Sequence, residues 1–486
     1  MSSNQTLMRG AGLAHFLRHG LGAMAFTLLA GCMTVGPDYQ PPAPEAVTLQ
    51  AAADPAFSSA SPVAAWWSGF DDPTLEQLVE RALADNLDLS IAMTRVRTAR
   101  ALFTEQRLDQ LPHVAATGSY DRRRQPEVLA GGQRVTTESA LLGLDAAWEL
   151  DLFGRQRRAT EAARAALGAE WENHADAQVI VAAEVAGTYF QLRGTHKRIA
   201  LARQTLENLQ QTQRLTEDRW ALGAGSELDV QSSRARMKAI EADIPLLEAS
   251  EVQAKHRLAV LVGQRPGALD TLLQPRDVPP YMRPLPIGDP SGLLRMRPDV
   301  RAAERRLGAA TANVGVATAD LFPRINLNGF IGFLSLDGTG LLGGGNKAWS
   351  LTPTVSWAAF DLGSVRARLR ATEAQADGVA AEYEKTVLLA LEETENALVR
   401  YARQQQRLLL TAEQAMAARR AEILAQTLYQ DGAEDFLALL DAQRNLLSAE
   451  DALAVAEAEA NIEVVGVYKA LGGWGQPLLL GHTAAR

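Results

Sequence analysis

The chain has 486 residues, 47% hydrophobic but only 6% aromatic, with a formal net charge of −9 and one cysteine. Its length allows two or three domains, and an aromatic-poor composition rich in alanine suits long packed helices better than a deep globular core. The acidic balance argues against nucleic-acid binding, which needs a positive footprint, and one thiol excludes an internal disulfide framework.

The N-terminus carries Arg9 and Arg18, then an apolar run from Leu21 to Ala30, then Gly31-Cys32. A basic region, a short apolar region and small residues before the cut read as a secretory signal over residues 1–31; the run is too short to span a bilayer. Leu29-Ala30-Gly31-Cys32 resembles a bacterial lipobox, which implies that Cys32 is the mature first residue, acylated on its sulfur and amine. A plain signal peptide with an incidental cysteine is the alternative. Met33 stands where an aspartate would favour inner-membrane retention, so resemblance to bacterial lipoprotein sorting implies the outer membrane.

Residues 33–62 are rich in Pro, Ala and Ser and predict an extended tether, and Trp66 and Trp67 mark the start of packed structure. Residues 32–71 thus form an acylated N-terminal tether and equatorial segment. From Asp72-Pro73 to Gln110 the pattern is helical, with Asp72 as N-cap and Pro73 in the first turn. Pro112 ends that stretch, and strict alternation follows. Val114, Ala116, Gly118 and Tyr120 face one way, and His113, Thr117, Ser119 and Asp121 the other. Past a polar loop with Gly131-Gly132, Leu142, Leu144, Ala146 and Trp148 alternate with residues that include Gly143, Asp145 and Glu149. Such runs fit half-buried strands of about the length that crosses a membrane in a barrel. A soluble sheet packed on a core is the alternative. From Arg155 to Leu222 there is no proline, which predicts one helix of roughly 100 Å. Val185, Tyr189, Leu192, Ile199 and Leu206 fall at heptad-like spacing. A return helix over about 226–262 follows a glycine turn.

The same order then recurs. Trp148 returns as Trp357, Gly154 as Gly363, Gly223 as Gly432 and Gly263 as Gly472, each 209 residues on. This period is too long for a solenoid and marks a duplicated structural half. The first repeat covers 72–263 and the second 293–473. A proline-rich connector and equatorial segment over 264–292, expected to be no core element, separates them, and a C-terminal tail over 474–486 follows. In the second copy Ile325, Leu327, Gly329, Ile331 and Phe333 share a face, and Trp349, Leu351 and Val355 alternate with Ser350, Thr352 and Thr354. A long helix is expected over 364–430 and a return helix over 433–471. There Leu439, Leu446, Leu453, Ala460 and Val467 recur every seven residues, with Ala442, Ala449 and Ala456 three positions on.

No catalytic constellation is visible. The histidines lie far apart, none at HExxH-type spacing, and no phosphate-binding glycine loop precedes a helix with a lysine. No metal and no cofactor is expected beyond the covalent lipid on Cys32. A periplasmic hydrolase is the remaining enzyme reading.

These features resemble the outer-membrane efflux factors, the TolC-like exit ducts of tripartite pumps, and within them the NodT-type lipoproteins that serve resistance–nodulation–division transporters. The resemblance is carried by Cys32-Met33-Thr34-Val35-Gly36-Pro37-Asp38-Tyr39, Leu294-Arg295-Met296-Arg297-Pro298-Asp299-Val300-Arg301-Ala302-Ala303-Glu304, Phe360-Asp361-Leu362-Gly363 and Leu440-Asp441-Ala442-Gln443-Arg444. It covers the mature chain and implies a mainly α protein with membrane β: four strands per chain completing a 12-stranded trimeric barrel, continued by a coiled-coil periplasmic tube. Four strands cannot close alone, two chains would give a filled eight-stranded barrel, and three leave room for a lumen. It further implies a homotrimer in outer-membrane lipid, a periplasmic adaptor and an inner-membrane transporter as partners, and passive conduction to the exterior.

The expected constriction is the periplasmic tip at Gly223, Gly225 and Gly432, where Glu434 and Asp435 are further candidates for the turn and for adaptor contact. Asp229 and Asp441 match family gate carboxylates, and Tyr429 a gate tyrosine. Helix capping is the alternative for acids so near a helix start, above all Glu227, Glu434 and Asp435. Glu434 departs from the basic residue of the best-known relative. Two other functions share parts of this pattern: the outlet of a type I protein-secretion system, and a non-conducting coiled-coil lipoprotein that spaces the envelope.

Overall fold

The computed structural model describes residues 34–42, 49–61, 64–124, 136–289, 292 and 296–473. The expected signal, Cys32, the Gly131-Gly132 loop, Leu294-Arg295 of the second motif and the tail from 474 lie outside the described residues. The chain divides into two compact units: one of Met1–Ala43, Val96–Ala169 and Ala303–Tyr383, the other of Pro44–Arg95, Glu170–Ala302 and Glu384–Arg486. Each sequence repeat contributes to both units, because the boundaries fall inside four helices.

The first unit holds a four-stranded sheet. In chain order its strands are β2 (His113–Arg124), β3 (Thr136–Leu150), β5 (Arg324–Ser335) and β6 (Lys347–Ser356). They pair antiparallel in the order β2-β3-β5-β6, which leaves β2 and β6 as edges. The register places most of the polar residues of the four strands on one face: Thr117 lies opposite Gly143, Ala147 opposite Asn328, and Asn328 opposite Thr352. The other face is apolar and uncovered, with Tyr120, Leu144, Ile331 and Trp349 all more than 45% exposed. A half-buried sheet of a soluble protein would cover that face.

The duplication is visible in detail. Trp148 donates its indole N–H to the carbonyl of Gln110 at 3.0 Å, and Trp357 donates to Leu321 at 3.0 Å. Both tie the end of a strand pair to the turn that precedes that pair. The glycines diverge: Gly154 is left-handed at φ +82°, whereas Gly363 lies inside a helix.

The start of the expected tether is docked. Val35 N–H donates to Phe153 at 3.1 Å, and the buried Arg158 donates to the carbonyls of Val35 and Gly36 and to Asp38. Gly36, at φ +85°, abuts Gly315 so closely that a Cβ would come 2.4 Å from its Cα. Tyr39 packs on Gly308 and donates to Glu304 at 3.2 Å. These contacts give Val35-Gly36-Pro37-Asp38-Tyr39 a structural role that local composition concealed.

The second unit is helical. Helix α1 (Pro73–Asp85) begins at Asp72, whose carboxylate accepts from Thr74 and Leu75 N–H. The single helix expected to Gln110 is broken. Asn86 adopts an extended conformation, caps the start of α2 (Leu87–Leu108) through Asp88 and Leu89 N–H, and donates to Leu261 O. The long helices are α3 (Arg155–Ala221) and α6 (Leu362–Gln430), their returns α4 (Glu227–Leu261) and α7 (Phe436–Ala470), and α5 (Pro298–Ala319) opens the second repeat. Heptad positions Val185, Tyr189, Leu192 and Ile199 are buried, as are Ala449, Ala456, Ala460 and Val467.

Trp66 stacks on Tyr468, with ring centroids 5.2 Å apart, and anchors the core. The connector is no mere spacer, contrary to expectation. Leu269, Leu273, Leu285 and Ile287 are buried in the same core, and Phe57–Ser58 (β1) pairs parallel with Leu285–Pro286 (β4). Its prolines fix an extended course, and the apolar residues between them supply the burial.

Candidate functional site

Both helical turns of the second unit are built alike. At the end of α3, Gly223 N–H donates to Trp220 O and Ala224 N–H to Arg219 O. At the end of α6, Gly432 N–H donates to Tyr429 O and Ala433 N–H to Leu428 O. Gly223 at φ +72° and Gly432 at φ +71° are left-handed, and nothing lies within 4 Å of where a Cβ would stand at either. The glycines are needed for conformation, not for space. Gly225 differs, since a Cβ there would come 3.2 Å from Trp220 N.

The expected gate residues sort into distinct surroundings. Asp229 closes a capping box at the start of α4: it accepts from Ser226 N–H at 3.2 Å, and its own N–H donates to Ser226 Oγ at 3.2 Å. Capping thus applies to Asp229 itself. Asp435 caps α7 by accepting from Ala438 N–H at 2.9 Å. Asp441 is exposed, ion-paired with Arg444 and bonded to Asn445. Glu434 is exposed, and its N–H donates to Leu428 O at 3.3 Å.

Tyr429 is buried against Phe436, with ring centroids 5.5 Å apart. Arg219 lies over its ring, Cζ 4.7 Å from the centroid, and donates to Tyr429 O at 3.3 Å. Burial pushes the Tyr429 hydroxyl above its ordinary value; Arg219 opposes this and Asp229 adds to it. Arg219 therefore joins the end of α3 to the end of α6. Sequence reasoning missed it because it bears no acid at ion-pair spacing; the available signal was a cation in the last turn of a helix.

Among the described residues no group of three or more His, Cys, Asp or Glu is placed to hold a metal ion. His113 pairs with Asp109 and His196 with Glu251.

An amphipathic antiparallel sheet with an uncovered apolar face, in one chain with two hairpins of very long helices, defines the class as an outer-membrane channel protein. Residues 78–264 and 290–473 match the family described as "Outer membrane efflux protein". The outer membrane protein OprJ of Pseudomonas aeruginosa is 34% identical over 93% of this chain and 95% of its own length. Nodulation protein T of Rhizobium leguminosarum bv. trifolii is 32% identical over 89% and 92%. Among solved structures, the outer-membrane channel OprN is 48% identical with a TM-score of 0.88, covering 91% of this chain and all of that one. The open state of the Neisseria gonorrhoeae MtrE channel is 30% identical with a TM-score of 0.79, covering 91% and 99%. The chain belongs to the outer membrane efflux protein family and is an outer-membrane efflux channel.

Proposed function

We propose that three copies of this chain form the exit duct of a tripartite pump, fed by an inner-membrane resistance–nodulation–division transporter through a periplasmic adaptor. The carrying observation is the open sheet, with one apolar face and two unpaired edges. An unpaired edge in lipid costs several kcal/mol per backbone group, so the edges must be satisfied by other copies. β2 and β6 run in opposite directions, so β6 of one copy meets β2 of the next antiparallel. Three copies give twelve strands and a lumen. Acyl chains on Cys32 fix the chain to the outer membrane from the periplasmic side, three residues before the docked Val35.

The duct rests closed at the helical turns and opens when the adaptor engages them near Gly223, Gly225, Gly432, Glu434 and Asp435. Asp229 and Asp441 supply the carboxylates of the constriction, and Arg219 on Tyr429 supplies a contact that must break for the hairpins to part. This reading is supported by the burial of Tyr429 and the matched glycine turns. Resting conductance in planar bilayers tests it. Arg219→Ala should raise conductance several-fold. Asp229→Asn with Asp441→Asn should do so if charge matters, whereas a rise seen only with Asp229→Ala would assign Asp229 to capping alone. Unchanged conductance in all three, with assembly intact, would sink the gate.

A further inference from the structure

The polar face of the sheet carries few charges, and nearly all are neutralised locally. Arg123 lies 2.8 Å from Asp121 and Glu149 2.7 Å from Arg155, and Arg324 pairs with Asp320. Asp145 in β3 is different. Among the described residues it has no basic partner; its hydrogen bond comes from the Thr117 hydroxyl. Across the ladder its neighbours are Ala115 on β2 and Phe330 on β5.

On the β5 side the residue that faces it is Phe330, not a base. Gly143 and Gly332 stand opposite each other on the same face, and the Phe330 ring lies over both. A Cβ on Gly143 would come 2.5 Å from Phe330 Cε2, and one on Gly332 2.9 Å from its Cζ. The pair of glycines thus seats an aromatic ring along the wall beside the carboxylate. Apolar surface next to a fixed charge lowers the local dielectric and focuses its field.

We infer that Asp145 is a specificity-determining residue of the channel: a fixed negative charge in the strand-lined segment that favours cations over anions. It is separate in the chain from the carboxylates at the helical turns. The inference rests on the polar face lining the conducting path, and each copy of the chain adds one such charge.

The test is the reversal potential of the full-length, membrane-extracted protein in planar bilayers under a KCl gradient. Asp145→Asn keeps an acceptor for Thr117 and removes the charge; the potassium-to-chloride permeability ratio should fall by about twofold or more. Asp145→Glu should retain the ratio, and Asp229→Asn with Asp441→Asn should leave the Asp145 contribution in place. A second reading uses Asp145→Cys. The chain has one other cysteine, Cys32, which acylation would block. A negatively charged methanethiosulfonate should restore the cation preference of open channels, and a positively charged one should invert it. An unchanged ratio in Asp145→Asn, or a Cys variant whose potential neither reagent moves, would overturn the inference. A wild-type protein that conducts nothing is the closed resting state, and the ratios are then read in the Arg219→Ala background; no pore in that variant either would overturn the proposed duct, a distinct failure.

Discussion

Asp176 carries the clearest pH dependence among the described residues of the helical unit. Burial, reinforced by Asp299 and Glu393 and opposed by Arg297 and Lys469, pushes its carboxyl up to about 6. The folded chain therefore holds this proton more tightly than the unfolded chain. Stability from this group is fully present below the ordinary carboxylate value near 3.8 and falls as pH rises to about 6. Asp176→Asn should stabilise the protein by roughly 1–3 kcal/mol at pH 8 and by little at pH 4. Paired thermal melts at the two pH values check this; an equal shift at both would remove the charge from the explanation. Arg297 is the counterpart, buried and donating to Asp299, Glu393 and the carbonyl of Ala470. Arg297→Ala leaves those acids without their cation and should cost about 3–5 kcal/mol, measured by denaturant unfolding. The sequence displayed Arg297 inside a family-like motif but not its role, because its partners lie 2, 96 and 173 residues away.

The helical turns and the break at Asn86 belong to the scale of elements. Gly223→Ala and Gly432→Ala meet no neighbour, so each should cost only the left-handed backbone penalty, about 1–2 kcal/mol, and Asn should cost less. Hydrogen exchange confined to the ends of α3 and α6 would report it; loss of protection across the whole unit would mean a packing role. These turns were legible in the sequence because glycine between two long periodic stretches has few other uses. The strands were legible for a related reason: with one face towards lipid, apolar residues recur at every second position over most of each run. The break at Asn86 was not legible, since its side chain substitutes for two helical hydrogen bonds and takes its third partner, Leu261, from far along the chain. The connector misled for the opposite reason, as prolines dominate its composition while Leu269, Leu273, Leu285 and Ile287 do the packing.

At the scale of the whole molecule, the duplicated order of elements and the even, incomplete set of strands lead to one requirement, that other copies complete the sheet. The sequence showed this through a count of alternating runs. It could not show the antiparallel compatibility of β6 with β2, which depends on the observed strand order. Nor could it show that Asp145 lacks a base among the described residues while Glu149 and Arg324 on the same face are paired, because those partners lie outside the strands. The most direct test of the central claim is the native mass of the protein extracted from membranes in mild detergent. A complex of three chains, each beginning at an acylated Cys32, is the expected result. A single unmodified chain that remains folded, with its sheet intact, would contradict the closed duct and the anchor together.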